Sequence, residues 1–448
     1  MSNFGQILAM KKFLRVLLAL LVAALICGCL YLNTLMPIIT GYAAKNLASA
    51  VFVSGRQQAD VEALDLNFSF IKFNKNKVDF EKKTVTSRFL WGKSVAEYRD
   101  GYGVTLLRGK GKKEFLAQKY PLGPQEALPD YLVPGDSAVA ARLEPIAKAF
   151  VDEQEYNGTP FAFVVLHKGG VVAERYHEGF SADMPLLSWS MAKSFTNMLT
   201  GLMVGDGMID INEPLNLPEW RGDGRKDITL NNLLQMQSGL EWNENYGSRS
   251  DVNLMLFREQ DMGLYALSKP LEYEPGTHWY YSSGSTNIVM RYLRGKFASD
   301  ADFLAYIRER IFEPLAISGA HFEPDMTGTP IGSSYLYITP RDFARFGQLY
   351  LDDGVVCGQR ILPEGWADYS STPASASEGR YGAFFWLNRG GVYYPDAPED
   401  LYSCNGHDGQ EVFIIPSKEL VVVILSYSPK PDRVIDFNGL LKDIIEEL

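Results

Sequence analysis

Metal-binding patterns are missing from this 448-residue sequence. No two cysteines have zinc-ligand spacing, no His-Glu-x-x-His occurs and the five histidines are scattered, so chemistry without a metal or cofactor is expected. Basic charge is also short: 43 Lys and Arg stand against 54 Asp and Glu, a formal net charge of -11. Phosphate neutralisation needs a surplus of clustered cations, which argues against nucleic acid and for a small-molecule or short peptide-like ligand. Internal repeats and low-complexity tracts are absent, and 46% hydrophobic with 22% charged residues describes an ordinary globular chain with a large core. Of only four cysteines, Cys27 and Cys29 lie in an apolar segment. The other two, Cys357 and Cys404, could form a disulfide in an oxidising compartment or remain two buried thiols.

That apolar segment runs from Val16 to Leu32 without a charge and follows Lys11, Lys12 and Arg15. With its flanks it is long enough to span a bilayer, and basic residues on its N-terminal side favour a cytoplasmic N-terminus with the remainder exported to the periplasmic side. A cleaved signal peptide is one alternative, and a lipoprotein signal processed at Cys29 within "ICGC" is another. From Leu30 through Met36 the chain stays uncharged, with only Asn33 and Thr34 polar. A processed mature end is usually polar, so an uncleaved anchor over residues 1–40 is expected.

Residues 41–140 mix strand-like runs with turns such as "RGKGKKE" and "YPLGPQEALPD", and read as an irregular extension. A domain over 141–448 follows. It opens with a helix from about Leu143 to Glu155, and "FAFVVLH" and "VVAERYH" flank "KGG" as a β-hairpin. A second hairpin, "EVFIIP" and "LVVVILSYS" about "SKE", precedes a C-terminal helix in which Val434, Phe437, Leu441, Ile444 and Ile445 recur at helical spacing. Hairpins near both ends predict an α+β fold: one antiparallel sheet built from both ends, with an inserted helical region over about 185–370.

The pattern Ser-x-x-Lys occurs twice. Around Ser69 and Lys72, Leu66, Phe68 and Phe70 alternate with mostly polar residues, so the segment reads as a strand whose residues three apart face opposite ways. Around Ser190 and Lys193, Met191, Phe195, Met198 and Leu202 follow helical spacing, which puts serine and lysine on one face. A hydroxyl needs a base within hydrogen-bond reach to become a nucleophile, and a lysine desolvated in a buried helix can serve. The alternative is an N-cap serine with a solvated lysine one turn on.

Two further stretches bear on that choice. "PGTHWYYSSGSTN" carries Tyr281, and "NGHDGQEVFIIP" places His407, Asp408 and Gly409 just before an apolar strand. With "LSWSMAKSF", these motifs resemble the penicillin-recognising serine hydrolases, nearest to class C β-lactamases and 6-aminohexanoate-dimer hydrolases. "ITLNNLLQMQSGLEW", "YITPRDFARFGQLYLDDG" and "RILPEGW" follow in the family's order, so the resemblance covers about residues 143–448.

The resemblance implies a β-lactamase/transpeptidase-like fold, with Ser190 as acylated nucleophile and Lys193 and Tyr281 relaying its proton; Tyr280 is the partner if the register slips by one. It also implies an oxyanion hole from the backbone N–H groups of Ser190 and Gln410. His407 stands where β-lactamases and carboxypeptidases carry a lysine, and Ser283 where the family often has asparagine. Both departures weaken the case for penicillins or D-Ala-D-Ala ends and leave simpler amides or esters. Gly409 is expected to let substrate approach the strand, and Tyr246, Trp242 and Asp251 fall where relatives place substrate-covering loops. Asp408 is expected to be solvated, and His167, His177, His278 and His321 to be structural. The expected activity is that of an exported, membrane-anchored serine hydrolase of amides or esters. The alternatives are a β-lactamase or D-Ala-D-Ala carboxypeptidase, and a non-catalytic peptidoglycan-binding protein of the same fold.

Overall fold

A computed structural model describes residues 2–109, 117–119, 131–429 and 433–448. Helix α1 runs unbroken from Ser2 to Phe52. From Gln6 through Tyr31 it is exposed along its whole circumference. Beyond that, Met36, Ile39, Ala43, Leu47 and Val51 are buried at three- and four-residue intervals, which places them on one face. By length and composition the helix is able to cross a membrane. The division expected near residue 40 therefore falls inside a single helix that enters the folded part.

The extension read as irregular is more regular than its sequence suggests. Strands β1 (Lys75–Asp79), β2 (Thr84–Phe89), β3 (Gly92–Arg99) and β4 (Gly103–Leu106) form an antiparallel sheet in that order. Val85, Ala96, Val104 and Leu106 are buried with α1 in one hydrophobic cluster. Short strands with a polar outer face leave too faint a periodicity to be read without the helix they cover. Most of "RGKGKKE" and all of "YPLGPQEALPD" lie outside the described residues. The Ser69–Lys72 copy is not a strand. Ser69 has a left-handed φ of 43° and opens a turn into a 3-10 helix over Ile71–Phe73.

Among the described residues the main sheet has seven strands. Adding β5 (Val133–Pro134), β6 (Pro160–His167), β7 (Gly170–Tyr176), β8 (Trp386–Leu387), β9 (Tyr402–Gly406), β10 (Gln410–Ile415) and β11 (Leu420–Ser426), their order is β8-β9-β10-β11-β6-β7-β5. The two expected hairpins, β6–β7 and β10–β11, meet through the antiparallel β11–β6 pair, so both chain ends build one sheet. Among the described strands of this sheet β5 alone is parallel to its neighbour. Both faces are covered, which explains the unbroken apolar runs. Phe163, Val165, Phe413 and Val422 pack beneath helices α2 (Ser137–Val151) and α6 (Phe437–Glu446). Val164, Leu166, Val412 and Val423 face a larger cluster containing Phe195, Phe343 and Phe346.

That larger layer holds α3 (Ala192–Gly205), α4 (Ser283–Arg294) and α5 (Pro340–Leu351). Every residue of α3 from Ala192 to Met203 is buried. Its polar residues are paired: the Asn197 carbonyl oxygen accepts from Tyr350, Trp366 and Ser370, and its amide donates to Ala383. Cys404 is buried, whereas Cys357 is exposed and both are free, so neither a disulfide nor a pair of buried thiols describes them.

Candidate active site

The serine turn is fixed before any chemistry is considered. Leu186–Leu187 pairs with Tyr337–Ile338, and the next backbone N–H, of Ser188, donates to Leu336 at 2.9 Å. Trp189 then takes a left-handed φ of 44°, a costly conformation for a bulky residue. A 3-10 turn over Trp189–Met191 leads into α3, which sets Ser190 just before the helix and Lys193 in its first turn.

Lys193 Nζ donates to Ser190 Oγ at 2.9 Å and to the Ser333 carbonyl at 3.1 Å. Burial lowers its pKa to about 8, against a smaller opposing pull from Glu244. A solvated lysine one turn from a cap is therefore not what these residues form. Tyr281 lies close enough to Ser190 for the serine to lower the pKa of its phenol, and Lys193 Nζ lies 4.8 Å from the centre of its ring. Burial raises the phenol's pKa, reinforced by Glu244 and only partly offset by Ser190. Tyr280 is 45% exposed and its amide bonds to Met236, so of the two tyrosines it is Tyr281 that meets the serine.

Several expected residues take other places. Ser283, fully buried at the start of α4, donates its hydroxyl to Glu244 at 2.5 Å and its amide to the same carboxylate at 2.9 Å. Trp242 also donates to Glu244, and Tyr246 does so at 3.3 Å. Tyr246 stacks on the His407 ring with centroids 5.2 Å apart, and Trp189 meets that ring edge-on at 5.5 Å. Tyr246 and His407 thus form a wall beside the serine turn. Asp251 is occupied elsewhere by Lys269 and Tyr265.

The loop after β9 departs most from expectation. Asp408 is buried rather than solvated: its side chain is 7% exposed, burial raises its pKa, and its oxygen lies 3.3 Å from His407 Nε2. Gly409 has a φ of 86°, and a Cβ there would lie 2.5 Å from Ser426 Oγ, so glycine is needed to close the turn. Gln410 is misplaced for an oxyanion role. Asn388 N–H donates to Leu401, and along an antiparallel strand the edge used alternates, so Leu401, Ser403 and Asn405 turn their backbone groups towards β8. Gln410, opposite Gly406, consequently turns its N–H into the β9–β10 ladder. Its side chain bonds to Ser426. β8 ends opposite Tyr402 and Ser403, which leaves the Asn405 amide on an open edge. That edge adjoins the serine turn: a Cβ on Gly406 would lie 2.5 Å from the Ser188 carbonyl oxygen.

Sequence reasoning missed Glu244, Ser333 and Asn405. Glu244 lies within "GLEWNENYG", but nothing local marks it, and Ser333 reaches Lys193 across 140 residues. It also missed Tyr42 of α1, which stacks against Trp189 at 6.1 Å and so brings the N-terminal helix to the site. Among the described residues no group of acids, histidines and cysteines could hold a metal.

A serine bonded to a buried, deprotonable lysine, with a buried phenol beside them, points to a serine hydrolase, and the comparisons with known proteins agree. The profile of the Beta-lactamase family matches residues 143–442, and the chain belongs to that family. It is 27% identical over 337 residues to the 6-aminohexanoate-dimer hydrolase of Paenarthrobacter ureafaciens, covering 68% of this chain and 82% of that one. A solved Bacillus anthracis protein, described as a candidate 6-aminohexanoate-dimer hydrolase, superposes with a TM-score of 0.59 at 22% identity, covering 75% of this chain and 91% of its own. A family VIII carboxylesterase does so with a TM-score of 0.54 at 16% identity, covering 70% and 99%. These two structures share the fold.

Proposed function

We propose that this protein cleaves a linear amide or an ester through an acyl-enzyme on Ser190, from a membrane-anchored position outside the cytoplasm. The observation that carries the reading is the 2.9 Å contact between Ser190 Oγ and an ammonium whose burial lowers its pKa to about 8. Near that pH a substantial fraction of Lys193 is the free amine, which accepts the Ser190 proton as Oγ attacks the substrate carbonyl. The resulting oxyanion is stabilised by the N–H groups of Ser190 and Asn405, Asn405 replacing Gln410 because its amide is on the open edge. Tyr281 is neutral in this pH range, so it acts as a donor: it passes its proton to the leaving amine or alkoxide and is reprotonated from Lys193. Water then repeats the sequence on the acyl-enzyme, and the acid leaves.

The relative named for a 6-aminohexanoate dimer supports a linear amide, and the neighbour named a carboxylesterase supports an ester. Where a permanent lysine cation would recruit a penicillin carboxylate, the wall beside the serine offers His407 stacked on Tyr246. The uncharged run of α1 behind Lys11, Lys12 and Arg15 supports the anchor and its orientation.

A fluorophosphonate probe is expected to label the purified chain at Ser190, p-nitrophenyl esters to give a burst, and Ser190→Ala to abolish both. Labelling that survives Ser190→Ala overturns the nucleophile. Stable labelling by a fluorescent penicillin would instead favour a β-lactamase or carboxypeptidase, and muropeptide binding without any burst a non-catalytic role.

A further inference from the structure

The chain is acidic overall, yet from Leu66 to Val78 and from Thr84 to Ala96 it contains no Asp or Glu and five bases. The fold gathers three of them. Lys75 pairs across the strands with Arg88, and Arg88 with Lys93, so three cations stand in one row on the outer face of the N-terminal sheet, at its β2–β3 end. All three are exposed, and among the described residues none has an acid within ion-pair distance. Like charges directly opposite one another in a sheet are unfavourable unless an anion lies between them.

The same end of the sheet is apolar at its tip. Leu90 and Trp91 form the β2–β3 turn and are 64% and 54% exposed, and Phe70 and Phe73 nearby are also exposed. Trp91 Nε1 donates to Asn33 of α1 at 3.1 Å, and Asn74 donates to the Ile39 carbonyl at 3.3 Å. These bonds fix the tip at the point where α1 leaves its bare, uncharged stretch. From Val16 to Tyr31 that stretch rises roughly 24 Å at ~1.5 Å per residue, less than the ~30 Å of a hydrocarbon core. Seating it in a bilayer draws the tip down to the headgroups, the layer that tryptophan favours.

We propose that the Leu90–Trp91 turn and the Lys75, Arg88, Lys93 row form a docking face for anionic lipid headgroups of the leaflet from which α1 emerges. Leu90 and Trp91 enter the interface, and headgroup phosphates lie between the three cations. The inference rests on the reading of α1 as a membrane span.

The test uses the full chain in lipid nanodiscs of phosphatidylcholine, alone or with one quarter phosphatidylglycerol, after Cys27, Cys29 and Cys357 are replaced by serine. An NBD fluorophore is attached through Trp91→Cys, or through Leu21→Cys on the bare helix as a reference, and quenched by shallow doxyl-labelled lipid. Position 91 is expected to be quenched at least twofold more with phosphatidylglycerol present. Lys75→Glu, Arg88→Glu and Lys93→Glu together are expected to remove that difference while fluorophosphonate labelling of Ser190 is retained. Equal quenching in both lipids, or a difference that survives charge reversal, overturns the headgroup assignment. Quenching at position 21 but not at 91 overturns the docking while the span stands. No quenching at either overturns the span, and the inference with it.

Discussion

At the residue scale, Lys193 is held where it is useful and unstable. Its pKa in the fold, about 8, lies below the ordinary 10.5 because burial disfavours the ammonium. Between those values the unfolded chain binds the extra proton, so stability rises with pH across that window, and the full penalty applies below about pH 8. Lys193→Met is therefore expected to abolish acylation while stabilising the fold at pH 7 by up to about 3 kcal/mol, read from denaturant melts. At pH 10.5 the gain should have gone. The ascending limb of kcat/KM against pH is expected near 8. Because Glu244 pulls Lys193 upward, Glu244→Gln should shift that limb to lower pH. It should also cost about 1–3 kcal/mol, since the new amide group faces donors from Trp242 and Ser283. An unmoved limb would remove Glu244 from the electrostatics of the site. Ser190 and Lys193 were legible because a helix puts residues three apart on one face. Asn405 was not, since which edge an amide faces depends on strand pairing, and Glu244 and Ser333 reach the site only through the tertiary fold.

At the scale of elements, α1 is tied to the rest by a buried ion pair. Lys45 Nζ binds Glu323 and the Val104 carbonyl, and Ser49 and the Val104 amide also donate to Glu323. Lys45 and Glu323 are almost entirely buried, at 1% and 0% exposure. Removing either partner strands a charge, so Lys45→Met or Glu323→Gln is expected to destabilise by about 3–5 kcal/mol. The double change to methionine should recover much of that loss, measured by thermal unfolding of the full chain. Strands β6, β7, β10 and β11 of the main sheet were legible because, at its centre, they read as long apolar runs, whereas β5, β8 and β9 are too short to carry such a signal. The β1–β4 sheet was not, because alternation in a thin, half-polar sheet makes sense only beside the helix it covers.

For the whole molecule, the two halves of α1 differ in what they can lose. A chain beginning at Leu30 keeps every buried residue of the helix and is expected to label at Ser190 in solution. One beginning at Ser54 lacks Ala43, Ala44, Leu47 and Ala48, all fully buried, and is expected to aggregate. Equal labelling of the two would show that the helix is dispensable to the domain. The stacking of Tyr42 on Trp189 has a further meaning when α1 sits in a bilayer. No slack linker separates membrane from site. From Tyr31 to Tyr42 the helix climbs roughly 17 Å at ~1.5 Å per residue. On the proposed function, Ser190 is then carried at a set height, like a blade on a fixed arm, and its targets are restricted to bonds that present themselves in a thin layer above the lipid surface.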